Sequence, residues 1–344
     1  MIAKPRIQSL IFEVTQRCNH ACLHCYNVWQ GDGAYPRGEL DTPRTLELLA
    51  KALDETVCHH VTLTGGEPLL RNDLPDILDF LQQRNVQSTI ISNGHLLDEA
   101  RTADLLGGGV GLLELPLLSH RREVHDQLSG VAGAWDAVLA AMASIRLQRG
   151  QFVAVFVATR LNIQDLYETI KLAFAFGARG MMLNRFNPGG RGRAHIEELL
   201  PTVEQVRQAL AVAEAASAEF GLPISCSIPL QPCLIDMRLY PHLGYGFCAA
   251  GSERAYYTLD PLGNLRPCNH TDTILGNLFE KSFGDLAASE RMQAFTCATP
   301  GFCSACTRRL ECQGGCKASA QVCYGSLTAE EPFLRYNRGK QNPI

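Results

Sequence analysis

The cysteines are the feature of this chain that most limits how it can fold. Of the fourteen cysteines in 344 residues, three lie at positions 18, 22 and 25, Cys58 stands alone, and ten fall between residues 226 and 323. In reducing compartments disulfides are rare, and clustered thiols usually hold metal. The distribution therefore predicts metal-binding regions near both ends of the chain.

The stretch between those regions alternates strand-like and helix-like segments. From residue 8 to about 225, short apolar runs such as HVTLTGG are followed by longer segments with apolar residues at helical spacing, such as DLPDILDFLQQRN. This alternation predicts a parallel sheet covered by helices, either an open doubly wound sheet or a barrel. Six βα repeats are visible, fewer than the eight of a closed barrel.

The C-terminal third has a different composition. After a bridging segment at 226–247, residues 248–326 are rich in proline, glycine and cysteine, with little apolar periodicity. Burial alone would hardly stabilise such a region, so bound metal is expected to supply the missing cross-links. We therefore predict an α/β domain at 1–225, the bridging segment, a cysteine-rich domain at 248–326, and a polar, partly disordered tail at 327–344.

Composition excludes several classes of function. The net charge of −4 gives no reason to expect nucleic acid or an anionic membrane as a partner. No apolar run reaches the length that spans a membrane, and the N-terminal segment is typical of a first strand, not of a signal peptide. We therefore expect a cytoplasmic protein.

The N-terminal cysteines directly follow the first predicted strand, at the end of the sheet where α/β folds place their chemistry. Thiolates are the usual ligands of iron–sulfur clusters. A four-iron cluster held by only Cys18, Cys22 and Cys25 would keep one iron open for a further ligand. The spacing leaves two alternatives open: a zinc site completed by His20 or His24, and reduced thiols without metal.

A second motif, TGGEP at residues 64–68, follows the predicted strand HVTL. Its two glycines allow backbone groups to approach a ligand closely. Together with the cysteine spacing, this motif resembles the radical S-adenosylmethionine (SAM) enzymes, and the resemblance extends over nearly the whole chain. It implies a partial (β/α)6 TIM barrel with a [4Fe–4S] cluster and with SAM bound at the open iron. The residues implied are Cys18, Cys22 and Cys25 for the cluster, and Gly65, Gly66 and Glu67 for the methionine end of SAM.

In that family an electron from the cluster cleaves SAM to a 5′-deoxyadenosyl radical, which abstracts hydrogen from a substrate. The resemblance assigns no catalytic side chain, because the radical is generated at the cluster. It implies that His24, just before the third cysteine, contacts the adenine. It also implies that Ser92 and Asn93, in the motif ISNG, face the cofactor.

The fourth predicted strand departs from the family pattern. Many relatives end it with Ser-x-Asp-Gly, whereas this chain has Pro116 and Leu118 in the segment ELPLLS. The residues that contact the ribose and the carboxylate of SAM are therefore unassigned. Glu114 and Ser119 are the candidates.

The cysteine-rich region contains C-x14-G-x4-C, then C-x2-C-x5-C-x3-C, then one further cysteine. This order resembles the SPASM extension of one branch of radical SAM enzymes, which holds two auxiliary [4Fe–4S] clusters. A zinc ribbon would account for one CxxC pair but not for seven ordered thiols. The resemblance thus implies three clusters in all. The first auxiliary group is Cys248, Cys268 and Cys316, with Cys233 or Cys226, and less readily Cys297 or His242, as its fourth ligand; the second is Cys303, Cys306, Cys312 and Cys323.

A basic, glycine-rich loop, RFNPGGRGR at 185–193, follows the sixth predicted strand. Its arginines Arg185, Arg191 and Arg193 are predicted to clamp substrate carboxylates through paired hydrogen bonds. The alternative is a solvated loop without a ligand. Similar turns occur in SPASM enzymes that trim tetrapyrrole side chains.

We therefore predict a radical SAM oxidoreductase that modifies or cross-links a ribosomally made peptide or protein, as most characterised SPASM proteins do. The alternatives are an enzyme on an acidic small molecule, such as a tetrapyrrole or a natural-product intermediate, and a non-catalytic iron–sulfur carrier. Flavodoxin or ferredoxin is the expected type of electron donor. Because the first strand begins near residue 8, we expect any leader-peptide-binding domain to be a separate protein.

Overall fold

The computed structural model describes residues 4–31 and 35–338. Among these residues, eleven strands form one sheet. They are β1 (Ser9–Thr15), β2 (His60–Gly65), β3 (Gln87–Ile91), β4 (Val110–Pro116), β5 (Phe152–Ala158), β6 (Gly180–Arg185), β7 (Ile224–Cys226), β8 (Leu243–Tyr245), β9 (Tyr256–Leu259), β10 (Asn264–Arg266) and β11 (Gly276–Asn277). Their order in the sheet is β11-β10-β9-β1-β2-β3-β4-β5-β6-β7-β8.

Strands β1 to β8 run parallel, and each is hydrogen-bonded to the next one along the chain. A sheet that grows in one direction with helical crossovers curls into a barrel with its helices outside. Strands β1 to β6 are those predicted from the sequence, whereas β7 and β8 are additional and only three residues long. Because β8 and β11 end the sheet without pairing to each other, the barrel stays open. The predicted α/β partial barrel is thus confirmed.

Helices connect the strands and cover the barrel. Asp41 accepts a hydrogen bond from Arg44 N at the start of the first helix, and Thr202 and Gln205 form a capping box at the eighth. Within the described chain no single helix has the length and apolarity needed to cross a membrane. One pair of helices, Arg122–Ser129 and Ala134–Leu147, passes that test only when taken together, and the two are bent by 101°. The helices are α1 (Thr42–Asp54), α2 (Leu74–Gln83), α3 (Glu99–Gly107), α4 (Arg122–Ser129), α5 (Ala134–Leu147), α6 (Leu166–Ala175), α7 (Ile196–Leu199), α8 (Val203–Phe220), α9 (Phe283–Ala287), α10 (Glu290–Cys297), α11 (Arg309–Cys312), α12 (Lys317–Tyr324) and α13 (Pro332–Arg338).

The cysteine-rich region is joined to the barrel through the sheet itself. Strand β9 pairs in parallel with β1, and β10 and β11 continue antiparallel beyond it. The Arg266 side chain on β10 is fully buried, and it donates hydrogen bonds to the Glu13 carboxylate on β1 and to the Thr271 carbonyl. A buried arginine requires such a partner, since an unpaired charge in the core is costly. The two regions therefore share one core.

The expectation of a partly disordered tail is wrong for residues 327–338. This segment contains α13, whose Phe333 and Leu334 side chains are completely buried. The Glu331 carboxylate just before the helix accepts hydrogen bonds from Arg185 and from Gln231. Apolar burial and one ion pair thus dock the segment on the barrel. Residues 339–344 of the predicted tail lie outside the described part of the chain.

Candidate functional site

The N-terminal cysteine loop lies at the carboxyl end of β1, as predicted. Its backbone is held on one side by the end of α4, where Ser129 O and Leu128 O accept hydrogen bonds from Ala21 N (3.3 Å) and Leu23 N (2.9 Å). Within the loop, Cys25 N donates to Cys22 O at 3.2 Å. These hydrogen bonds fix the loop's backbone against the barrel.

The TGGEP loop packs directly against the base of the cysteine loop. Gly66 N donates to Thr15 O, and Glu67 N donates to Arg17 O, both at 2.8 Å. A Cβ atom on Gly65 would lie 2.2 Å from Thr15 O, and one on Gly66 would lie 2.0 Å from Arg17 O. Gly65 also has φ +129°, which side-chain-bearing residues rarely adopt. Both glycines are thus required by close backbone approach.

A cavity of about 270 Å³ opens beside these two loops, at the carboxyl ends of the strands. It is bordered by the cysteine loop, the two glycines, the end of β3 and the interior of β4 to β6. His24 lines it, and its Nδ1 atom is buried without a hydrogen-bond partner. Burial lowers the pKa of His24 to about 4, so its ring is neutral at pH 7. A neutral ring with an unused nitrogen suits contact with a bound nucleobase.

The three thiols of the loop interact electrostatically with one another. Burial raises the pKa of Cys22, and the charges of Cys25 and Cys18 raise it further. Burial likewise raises the pKa of Cys25 to about 11. Such thiols stay protonated unless a metal centre stabilises the thiolates. Three thiols carried by one loop are a donor set that fits a four-iron cluster with one open iron.

A second thiol group borders a smaller cavity in the C-terminal region. Cys248, Cys268 and Cys316 line it together with Tyr256. His270 lines both this cavity and the larger one, and so do two residues of the bridging segment, Ser227 and Ile228. The predicted first auxiliary group thus adjoins the main cavity.

Cys297, the less favoured of the predicted fourth ligands, lies near this group. The Lys317 ammonium donates a hydrogen bond to the Thr296 carbonyl at 2.8 Å, directly before Cys297. Burial lowers the pKa of Lys317, and the charges of Cys248 and Cys297 oppose that shift. By contrast, Cys226 lies in the apolar barrel core. The backbone N–H of His242 donates to the Glu214 carboxylate at the protein surface. Cys297 therefore remains a candidate for the fourth ligand.

The predicted second auxiliary group comes from two places in the C-terminal region. Burial raises the pKa of Cys303 to about 11, and its Sγ lies 3.6 Å from where a Cβ atom on Gly314 would be. The Cys323 Sγ lies 3.7 Å from the carbonyl oxygen of Pro188. The grouping of Cys323 with Cys303, Cys306 and Cys312 stays a prediction.

The family assignment follows from comparison with known proteins. Residues 12–173 match the model of the radical SAM superfamily, and residues 248–312 match that of an iron–sulfur cluster-binding domain, SPASM. This chain belongs to the radical SAM superfamily. It is a radical SAM enzyme of the SPASM-containing branch, and it uses SAM and iron–sulfur clusters.

Named relatives cover nearly the whole enzyme. It is 28% identical over 331 residues to PqqA peptide cyclase of Granulibacter bethesdensis, covering 94% of this chain and 86% of the relative. It is 25% identical over 357 residues to AdoMet-dependent heme synthase of Methanosarcina barkeri, covering 99% and 100%. The fold matches that of Streptococcus suis SuiB bound to precursor peptide SuiA, with a TM-score of 0.74 at 14% identity, over 96% of this chain and 76% of SuiB.

The Glu67 side chain contacts protein groups next to the cavity of this radical SAM enzyme. Its side chain is fully buried behind the cavity wall and is engaged by protein groups. The carboxylate accepts hydrogen bonds from Ser92 Oγ (2.8 Å), Asn93 N (2.8 Å) and Leu69 N (3.2 Å). Glu67 therefore ties the TGGEP loop to the ISNG loop. The neighbouring Gly65 and Gly66, together with Ser92 and Asn93, line the cavity itself.

Of the two residues on or after the fourth strand that were candidates for contacting SAM, one lines the cavity. Glu114 lines it, and burial raises the pKa of that carboxyl to about 7. Ser119 does not line it, because its hydroxyl donates a hydrogen bond to Asp165 at 2.6 Å. Pro116 and Leu118, which replace the family's polar ending, border the cavity as apolar wall. Glu114 thus remains the candidate for a polar ligand contact on this strand.

The predicted arginine clamp does not have the form expected. Arg185 lines the cavity, but its guanidinium is bound by Glu331 and by the Pro229 carbonyl. Arg191 donates to Gln30 at 3.1 Å, and its charge acts on the thiols of the N-terminal cysteine loop. Arg193 lies close enough to Cys323 to lower that thiol's pKa, against the raising effect of burial. These arginines therefore face three different parts of the protein.

The glycines between those arginines support the cysteine loop. A Cβ atom on Gly190 would lie 2.3 Å from Asn27 O, and one on Gly189 would lie 2.9 Å from Tyr26 O. Gly192 N donates to Cys25 O at 3.0 Å. The loop that was predicted to bind substrate therefore forms a wall of the N-terminal cysteine site.

Several polar residues of the cavity were missed by sequence reasoning. Asn27 donates from its side chain to Gly65 O at 2.7 Å, and His270 stacks on Tyr26 with ring centroids 4.2 Å apart. Asn187 links His270 to the Cys316 thiol at 3.3 Å each. The available signal was proximity in sequence, because Asn27 and His270 each follow a predicted ligand cysteine by two residues.

Proposed function

We propose that this radical SAM enzyme oxidises or cross-links a ribosomally made peptide or protein. In this proposal it carries three [4Fe–4S] clusters, one on the N-terminal cysteine loop and two in the C-terminal region. The similarity to PqqA peptide cyclase, which spans nearly all of both chains, supports a peptide substrate. The charge of the residues that line the cavity is the observation that favours a peptide over an acidic tetrapyrrole as the substrate.

The cavity lining provides little positive charge to bind a polyanionic substrate. Arg185 is the one arginine or lysine among the described residues that line it, and Glu331 already neutralises that charge. Burial lowers the pKa of His24 and of His270 to about 4, so both rings are neutral at pH 7. Glu114 adds acidic character. Carboxylates buried without cations are strongly disfavoured, so this lining favours a peptide segment over an acidic tetrapyrrole.

When bound, the cluster and SAM would supply the 5′-deoxyadenosyl radical. Cys18, Cys22 and Cys25 would hold the cluster, and the residues around them supply rigid positioning. Asn27 fixes the Gly65 carbonyl, and the close packing of Gly66 fixes the base of the cysteine loop. The buried position of the cavity would exclude water from a reactive intermediate. The adjoining first auxiliary group supports an oxidative reaction.

Protein partners also belong to this proposal. A flavodoxin or ferredoxin would deliver electrons. The peptide would either be held through its leader segment by a separate protein or need no such partner. The heme synthase relative supports the competing function, which is a reaction on an acidic tetrapyrrole. The charge of the cavity lining disfavours a tetrapyrrole substrate. The following experiment distinguishes the two functions.

The test is anaerobic incubation of the reconstituted protein with SAM, a reductant and candidate substrates. These are peptides encoded beside its gene and an acidic tetrapyrrole. We expect 5′-deoxyadenosine together with a peptide lighter by two hydrogens. Loss of carbon dioxide from the tetrapyrrole, with the peptides unchanged, would overturn the proposal. As control, replacing Cys18, Cys22 and Cys25 together by alanine should abolish SAM cleavage and leave the C-terminal iron in place.

A further inference from the structure

A tight turn in the bridging segment carries Cys233 to the C-terminal cysteines. Leu234 N and Ile235 N both donate to Gln231 O at 2.9 Å, which closes the turn around Cys233. The Gln231 side chain lies against the backbone of Gly315, since a Cβ atom there would fall 2.0 Å from its Nε2 atom. The turn is therefore packed on the loop between Cys312 and Cys316.

Three cysteines of the C-terminal region lie in two compact turns of its backbone. Cys306 N donates to Cys303 O at 3.0 Å, and Gly315 N donates to Cys312 O at 3.1 Å. The Cys303 Sγ lies 3.6 Å from where a Cβ atom on Gly314 would be, directly beside Gly315. The turn around Cys233 and these thiols thus meet at the same stretch of backbone.

The packing places two separate segments of the chain side by side. Gln231, which closes the turn around Cys233, touches Gly315, and the adjacent Gly314 lies beside the Cys303 thiol. Gly315 N is in turn bonded to the Cys312 carbonyl. The bridging segment therefore reaches the backbone that carries the C-terminal cysteines.

Cys323 belongs to a different neighbourhood. It lies on α12, and its thiol donates to the Pro188 carbonyl on the barrel side of that helix. It faces the barrel rather than Cys303 and Cys312.

We propose that Cys233, not Cys323, completes the second auxiliary cluster site with Cys303, Cys306 and Cys312. The inference rests on the proposed function only in that the C-terminal region holds two clusters. Four thiolates are the usual complete set for a [4Fe–4S] cluster. The bridging segment connects the barrel to the C-terminal region. A cluster at this site would attach the bridging segment to the C-terminal region through metal.

The test compares Cys233→Ala with Cys323→Ala in the full-length, anaerobically reconstituted protein. Iron and sulfide are quantified per chain, and the clusters are examined by Mössbauer and electron paramagnetic resonance spectroscopy. We expect Cys233→Ala to lose about four irons or to yield a three-iron cluster, and Cys323→Ala to match the unsubstituted protein. Iron loss in Cys323→Ala with none in Cys233→Ala, or no difference between the variants, would overturn the assignment.

A second measurement needs no substitution and so does not depend on how a variant folds. The Cys233 residue is exposed, so it should react with iodoacetamide in the iron-free protein. In the reconstituted protein we expect Cys233 to react with iodoacetamide at least ten times more slowly. Peptide mass spectrometry measures the extent of this reaction over time. Equal reaction rates in both states would refute a role as ligand. SAM cleavage, measured on the same samples, reports the proposed function separately, because it depends on the N-terminal cysteines.

Discussion

The buried ion pair between Arg185 and Glu331 allows a quantitative test of how the C-terminal segment is held. Both side chains are 1% exposed, and they come from residues 146 apart in the sequence. Arg185 also lies over the Phe333 ring, 4.7 Å from its centroid. Replacing Glu331 by alanine would leave a buried guanidinium with only the backbone carbonyls of Pro229 and Phe186 as partners. Removing one member of such a pair costs about 3–5 kcal/mol.

The neighbouring residue provides a matched control. Glu330 pairs with Arg338, but these side chains are 33% and 45% exposed. Exposed pairs contribute about 0–1 kcal/mol, because solvent screens them. We therefore expect Glu331→Ala to lower the free energy of unfolding several-fold more than Glu330→Ala. A double replacement of Arg185 and Glu331 by methionine should recover most of the loss, because it removes both charges.

The assay is urea unfolding of the anaerobic protein, followed by far-ultraviolet circular dichroism, with midpoints compared among the variants. Limited proteolysis gives an independent measure, because a released α13 would expose the chain after residue 327. Equal midpoints for Glu331→Ala and Glu330→Ala would refute the reasoning. Such a result would mean that apolar burial of α13 alone anchors the segment.

Three further predictions follow from the site. Gly66→Ala should displace the cysteine loop, because the new Cβ would lie 2.0 Å from Arg17 O, and we expect loss of about one cluster's iron and of SAM cleavage. Burial raises the pKa of Glu114 from 4.5 to about 7, so the native state binds the extra proton and stability falls as pH rises through that window. Glu114→Gln should flatten this dependence by on the order of 1–3 kcal/mol, measured by unfolding at pH 5 and pH 8. Cys297→Ala should deplete the iron of the first auxiliary group, whereas Cys58→Ala, far from either predicted cluster region, should retain it.

Much of the barrel could be predicted because its signals are local. Each of β1 to β6 is an apolar run next to a helix with apolar residues at helical spacing, and right-handed crossovers then leave few topologies. The N-terminal cysteine loop was equally accessible, since three ligands within eight residues need no tertiary information.

The parts that sequence reasoning missed depend on contacts between distant residues. Pairing of β9 with β1 joins residues about 250 positions apart, and the burial of α13 depends on an arginine on β6. Neither short segment has a periodicity that reveals its partner. A short apolar run such as PFLR is therefore ambiguous until the surface that covers it is known.

The thiol groups show the same limit within the site. The order of cysteines along the chain led to grouping Cys323 with Cys303, Cys306 and Cys312. In the folded chain the Cys323 thiol donates to the Pro188 carbonyl, and the turn closed by Gln231 is the reason that we propose Cys233 as the fourth ligand instead. Likewise, the sequence between Arg185 and Arg193 was interpreted as a substrate-binding loop. In the structure its glycines allow its backbone to pack closely against the backbone of the N-terminal cysteine loop.

The pairing of β9 with β1 has a consequence for how the enzyme fails. Without the C-terminal hairpin, β1 would present an unpaired edge, which favours intermolecular association, and Glu13 would lose Arg266 while still buried. Oxygen damage that dissolves the auxiliary clusters and loosens this region would therefore reach the first strand of the barrel. Aggregation, and not merely an inactive but well-folded protein, is the expected outcome of exposure to air.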